Sequence, residues 1–144
     1  MNEKIAIAYF SHTGNTKQAA KKLQREVGGD LIEIRKRRPY RSSEKVMIVR
    51  AILDRLSGSL PALSEIPHIK DYDKVYLGFP IWCGRCPQII ISFAKLSDLY
   101  TGTIIPFYTS GGSLAGNSQA KLQRIYKYAK VEEPINMNKN NSSS

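Results

Sequence analysis

The sequence has 144 residues, which suits one domain and leaves little room for two. Hydrophobic residues make up 42% and charged residues 24%, the balance of an ordinary globular protein rather than a disordered or fibrous one. The net charge is +10, two cysteines are too few for a disulfide scaffold, and no apolar run approaches the ~20 residues that span a bilayer. Met1-Asn2-Glu3-Lys4 has no signal-peptide layout, so a reducing, cytoplasmic location is the expectation.

Lys4 to Phe10 is an almost unbroken apolar run, the pattern of a strand covered on both faces in a parallel sheet. A polar loop, Ser11 to Thr16, leads into a helix expected over Thr16 to Val27, with Ala19, Ala20, Leu23 and Val27 on one stripe. Gly28-Gly29 ends it, and Asp30 to Ile34 reads as the second strand. Glu44 to Leu56 carries apolar residues at helical spacing. Lys74 to Phe79 is another buried-looking strand. Pro87 suits the first turn of a helix bearing Ile89, Ile90, Phe93, Leu96 and Tyr100. Thr103 to Thr109 reads as a fourth strand despite Pro106, which costs a ladder hydrogen bond. A helix is expected over Ser118 to Lys130 and a short fifth strand within 131–137; Asn138 to Ser144 is a polar tail expected to be disordered. Alternating strands and helices imply a single α/β domain over 1–137, a doubly wound parallel five-stranded sheet with helices on both faces.

Ligands in such sheets bind beyond the carboxyl ends of the strands, where the strand order reverses. The loop Ser11-His12-Thr13-Gly14-Asn15-Thr16 offers a helix N-terminus and many neutral donors without Lys or Arg, which suits a terminal monophosphate; an ordinary polar turn with a capping Asn15 or Thr16 is the plainer alternative. There is no Walker loop, no Gly-x-Gly-x-x-Gly, and no cysteine after the first strand to serve a thiol phosphatase. Phe79-Pro80 replaces the aspartate that a phospho-accepting receiver needs there. Binding remains, rather than bond-breaking. Pro80-Ile81-Trp82-Cys83-Gly84-Arg85-Cys86 holds the only tryptophan, whose indole suits a flat heterocycle, or a core. Thr109-Ser110-Gly111-Gly112-Ser113 offers flexible backbone and small hydroxyls.

Three segments, Tyr-Phe-Ser-His-Thr-Gly-Asn-Thr (9–16), Leu-Gly-Phe-Pro-Ile-Trp (77–82) and Ile-Pro-Phe-Tyr-Thr-Ser-Gly-Gly-Ser (105–113), resemble the flavin-binding segments of flavodoxin-like proteins. The resemblance spans about residues 4–130 in the right order. It implies a flavodoxin fold and non-covalent FMN, with the phosphate on Ser11, His12, Thr13, Gly14, Asn15 and Thr16. The isoalloxazine would lie against Pro80, Ile81, Trp82, Cys83 and Gly84, with Thr109, Ser110, Gly111, Gly112 and Ser113 along its edge and Tyr40 nearby. Two departures stand out. The final helix of the family is not evident after Met137, and electron-carrying flavodoxins are usually acidic whereas this chain is at +10.

Cys83-Gly84-Arg85-Cys86 has the spacing of a redox dithiol, with Arg85 able to favour a thiolate, or its cysteines are incidental small residues in a flavin loop. Arg35, Lys36, Arg37, Arg38, Arg41, Lys45 and Arg50 form a basic run that suits an acidic partner protein or the phosphates of NADPH, or is a solvated face. Nucleic acid is a weaker partner, since aromatic interleaving and any known motif are missing. The reading is an FMN-binding protein acting in electron transfer. The alternatives are an NAD(P)H-dependent quinone or small-molecule reductase, and a flavin-less adaptor using the basic face. No catalytic side chain and no metal are expected. A narrow apolar stripe on the first helix leaves one sheet face under-covered, and a homodimer pairing those faces is expected.

Overall fold

The computed structural model describes residues 3–11, 14–36, 63–65, 67–81, 86–109 and 117–137. In chain order it contains β1 (Ile5–Tyr9), α1 (Asn15–Val27), β2 (Asp30–Glu33), β3 (Lys74–Pro80), α2 (Gln88–Leu96), β4 (Thr103–Thr109), α3 (Ser118–Ile125), β5 (Lys130–Val131) and β6 (Ile135–Asn136). The helix expected over 44–56 and the tail at 138–144 lie outside the described residues. The pairings between these strands are all parallel, in the order β2-β1-β3-β4, with both β5 and β6 on the free edge of β4, and a single antiparallel bridge joins Lys36 to Leu63. This is the expected doubly wound α/β sheet.

Side chains alternate between the two faces of each strand, and the two faces are covered unequally. Ala6, Ala8, Val75, Leu77, Phe79 and Ile104 point to a first face, where they pack with Ile90 and Phe93 of α2 and Leu122 of α3. Ile7, Tyr9 and Phe107 point to the second face, where α1 brings Ala19, Ala20 and Leu23. Right-handed crossovers require this division, because the chain steps one way from β1 to β2 and the other way thereafter. α1 ends at Gly28 (φ +76), whose N–H bonds the Gln24 carbonyl at 2.8 Å, a turn that non-glycine residues rarely adopt.

Pro106 keeps its place in β4, and the edge accommodates it. Ile104 and Tyr108 accept hydrogen bonds from Glu132 and Met137 at 2.8 Å each, so alternate residues of β4 face the β5–β6 edge, Pro106 among them. Opposite Pro106 the edge is split: Ile104 pairs with Val131, Phe107 with Ile135, and Glu132-Glu133-Pro134 bulges between them with one residue extra. The missing N–H therefore faces a gap, not a partner. The single fifth strand expected over 131–137 is thus two short pieces.

The last helix also departs from expectation. It stops at Ile125, not Lys130. No glycine or proline ends it; the Gln123 side chain does. Its amide nitrogen donates to the carbonyls of Tyr126 and Ala129, and its oxygen accepts from Val131 N–H, each at 2.9 Å. The turn this holds swings Tyr126 into the core, fully buried. There its hydroxyl lies 2.7 Å from Ser97 Oγ, which itself donates to the Phe93 carbonyl.

Burial pushes the Tyr126 hydroxyl well above the ordinary tyrosine range, and burial together with the Asp73 carboxylate pushes Tyr100 up to about 12. In the unfolded chain both titrate near 10. Between these values the unfolded state releases protons that the folded state keeps, so stability present below pH 10 falls as pH rises toward 12. Urea unfolding at pH 8 and pH 11 should show a lower midpoint at the higher pH, and Tyr100→Phe should reduce that difference. An equal drop in the variant would remove Tyr100 from the effect.

Candidate functional site

The carboxyl ends of β1, β3 and β4 lie together where the strand order reverses. Gly14 stands before α1 with φ +93, and a Cβ added there would meet nothing within 4 Å. Its glycine identity is a matter of backbone conformation, and open space lies beside it. Its N–H donates to Ser11 Oγ at 3.1 Å, closing the loop between β1 and α1. α1 has no side-chain cap at its N-terminus and no acid in its first turn. The N–H groups and dipole of that turn favour an anion.

Thr109, at the end of β4, ties the three strand ends together. Its Oγ1 lies 2.9 Å from Oγ1 of Thr16 on α1, a buried bond in which either hydroxyl can donate. Its carbonyl accepts from Ile81 N–H at 2.8 Å, just beyond β3. Phe10 N–H bonds the Gly78 carbonyl at 2.9 Å and Ile34 N–H the Tyr9 carbonyl at 2.7 Å, fixing the neighbouring strand exits in the same way. Hydrogen bonds thus preset the relative positions of the helix start, the Pro80-Ile81 exit and the β4 exit.

Of the residues assigned from sequence, Ser11, Gly14, Asn15, Thr16, Pro80, Ile81 and Thr109 come together at this edge. His12, Thr13, Trp82, Cys83, Gly84, Ser110, Gly111, Gly112 and Ser113 lie outside the described residues, as does Tyr40. The sequence does not show the link between Thr16 and Thr109, which stand in two separate motifs, one suited to a phosphate and the other to a ring edge. Two threonines 93 positions apart carry no local signal of their contact.

Cys86 is a free, buried thiol in the first-face core. Burial raises its pKa, only partly opposed by Lys121 and a hydrogen bond with Ser118. It is therefore held as a neutral thiol, and the thiolate that a dithiol relay needs is not favoured at this sulfur. Neither Ser118 nor Lys121 was singled out in the sequence. Along α1 the described charges are mainly basic. Lys17, Lys21 and Arg25 are exposed along α1, whose only acid is Glu26, and at the exit of β2 Arg35 pairs with Glu33 at 2.9 Å. No described helix is long and apolar enough to cross a membrane.

The family model described as flavodoxin matches residues 4–144. Among solved structures, a candidate flavoprotein from Bacteroides eggerthii is 38% identical, with 94% of this chain and 88% of that chain covered and a TM-score of 0.83. A second, from Bacteroides uniformis, is 32% identical, covering 96% and 92%, with a TM-score of 0.84. A flavoprotein in complex with FMN from Lactobacillus acidophilus shares the fold at 22% identity, covering 94% and 93%, with a TM-score of 0.82. Among curated proteins, none matches this sequence.

Proposed function

Because this chain belongs to the flavodoxin family, we propose that it binds FMN non-covalently at the carboxyl edge of its sheet and acts in electron transfer. The observation that carries this reading is the convergence on Thr109 of an uncapped, acid-free helix start and the Pro80-Ile81 exit. The donor set fits the cofactor: a terminal phosphate takes many N–H and hydroxyl donors, and Gly14 leaves room for it. The N–H groups of the first turn of α1, with Ser11, His12, Thr13 and Asn15, would hold the phosphate. Pro80, Ile81, Trp82, Cys83 and Gly84 would flank the ring, and Thr109 to Ser113 its edge. Bound there, FMN supplies reversible uptake of one or two electrons. The chain binds, orients and partly shields it. No side-chain acid, base or nucleophile is required.

A second reading is supported by the exposed Lys17, Lys21 and Arg25 and the net charge of +10. In it the protein is an NAD(P)H-dependent quinone reductase, for which FMN held by the same residues would supply the two-electron chemistry. An acidic protein partner meets the same basic surface in the carrier reading.

Titration of the protein with FMN tests the cofactor. A flavin absorption spectrum should appear on the protein after gel filtration, and Trp82 fluorescence should fall to a saturating limit through contact with the ring. Colourless protein with unchanged Trp82 fluorescence would defeat the reading. NAD(P)H oxidation with a quinone then separates reductase from carrier.

A further inference from the structure

Thr16 and Thr109 are buried polar side chains, 1% and 9% exposed, and their hydroxyls bond each other at 2.9 Å. Shielded from water, neither hydroxyl can exchange the other for solvent without the backbone moving. Thr16 lies in the first turn of α1. Gln18 N–H bonds the Gly14 carbonyl at 3.0 Å, so the N–H groups of Asn15, Thr16 and Lys17 have no acceptor within the helix. Those are the groups that the proposed site offers to a phosphate. Gly14, at the cap, has no side chain to hold them. Further along, α1 packs on the sheet through Ala19, Ala20 and Leu23, contacts that are apolar and without direction. The bond between Thr16 and Thr109 supplies the direction, fixing the start of α1 against the end of β4.

We propose that Thr109 is a positioning residue for the phosphate of the flavin, acting through Thr16, although its motif points to the edge of the ring. The inference rests on the FMN reading above and goes beyond it by giving one residue two separate roles. The main chain of Thr109 serves the ring, since its carbonyl takes the Ile81 N–H at 2.8 Å and so holds the exit of β3. Its side chain serves the other end of the ligand. Without the Thr109 hydroxyl, Thr16 would keep a buried hydroxyl stripped of this bond, and the first turn of α1 would shift to bring it to water. The N–H groups beside it would shift too. A phosphate held by several charge-assisted bonds responds to that, because such bonds weaken steeply with angle and length. The ring uses none of them. Selectivity for a flavin that carries a phosphate therefore depends on a hydroxyl of β4.

Fluorescence titration of the full chain with FMN and with riboflavin tests this, read as the ratio of the two affinities. A change at the ring cancels in that ratio, and so does a general loss of stability. Thr109→Val keeps the shape and the main-chain bond to Ile81, and should lower the ratio about tenfold. Thr109→Ser keeps the hydroxyl, and should hold the ratio within about threefold of wild type. Thr16→Val combined with Thr109→Val leaves neither hydroxyl buried alone, so it folds even where a single valine does not. It should lower the ratio at least about tenfold, and no further than Thr16→Val by itself, because both substitutions break one bond. A ratio that Thr109→Val leaves unmoved would overturn the proposal. So would an equal fall in Thr109→Ser, or losses that simply multiply in the double variant. A wild-type chain that binds neither flavin would instead defeat the FMN reading, and this inference with it.

Discussion

Thr13→Ala combined with Asn15→Ala is expected to weaken FMN by about a hundredfold while changing riboflavin by no more than about threefold. The two ligands share the ring and differ at the phosphate. In the proposed site Thr13 and Asn15 face only that phosphate, at a loop with no Lys or Arg to compensate. A hydrogen bond to a charged group contributes about 1.5–3 kcal/mol. Losing two of them removes at least about 3 kcal/mol, roughly a hundredfold in affinity. Riboflavin keeps every ring contact and should scarcely respond. Fluorescence titration of both flavins against both proteins gives the four constants needed. An equal loss for the two flavins would move the phosphate away from this loop.

Gly78→Ala should lower stability by about 2–3 kcal/mol, on the order of 10 °C in Tm. Gly78 lies in the middle of the sheet on the second face, and a Cβ there would overlap the Phe107 ring. Phe107 is fully buried in the smaller of the two cores and covers that glycine, so its ring has little freedom to retreat. Phe107→Ala should itself cost about 3–5 kcal/mol through the cavity it leaves. The informative variant is the double one. Gly78→Ala with Phe107→Leu should be more stable than the sum of the single effects by about 1 kcal/mol or more, because the smaller side chain frees the space the methyl needs. Simple additivity in urea melts would mean that the two residues do not compete for one volume.

The sequence made the sheet interior legible because burial on both faces leaves no other reading of runs such as Ile5-Ala6-Ile7-Ala8-Tyr9. Thr103–Thr109 was placed to the residue despite Pro106. The compensation for that proline was not legible, since β5 and β6 are two residues each and too short to show a period. The end of α3 was hidden for another reason. Apolar spacing runs on past Ile125 into Tyr126 and Ala129, and only a side-chain amide three residues back diverts the backbone. At the candidate site, the loop sequences drew attention to one sheet edge because small polar residues gather where β1, β3 and β4 end. What they did not disclose is the hydroxyl pair that holds two of those loops together. Such a contact belongs to the topology, and it became visible only once β1, β3 and β4 were aligned.

The break opposite Pro106 also bears on how this chain avoids runaway association. An exposed outer strand offers a ladder of unsatisfied groups on which foreign strands can grow. Here that rim is cut into two-residue pieces by Glu132-Glu133-Pro134, which bulge, carry like charges and include a residue with no N–H to offer. An incoming strand finds no run long enough to template fibre growth. The proline that weakens β4 from within therefore leaves a margin on which stacking of sheets edge to edge cannot propagate.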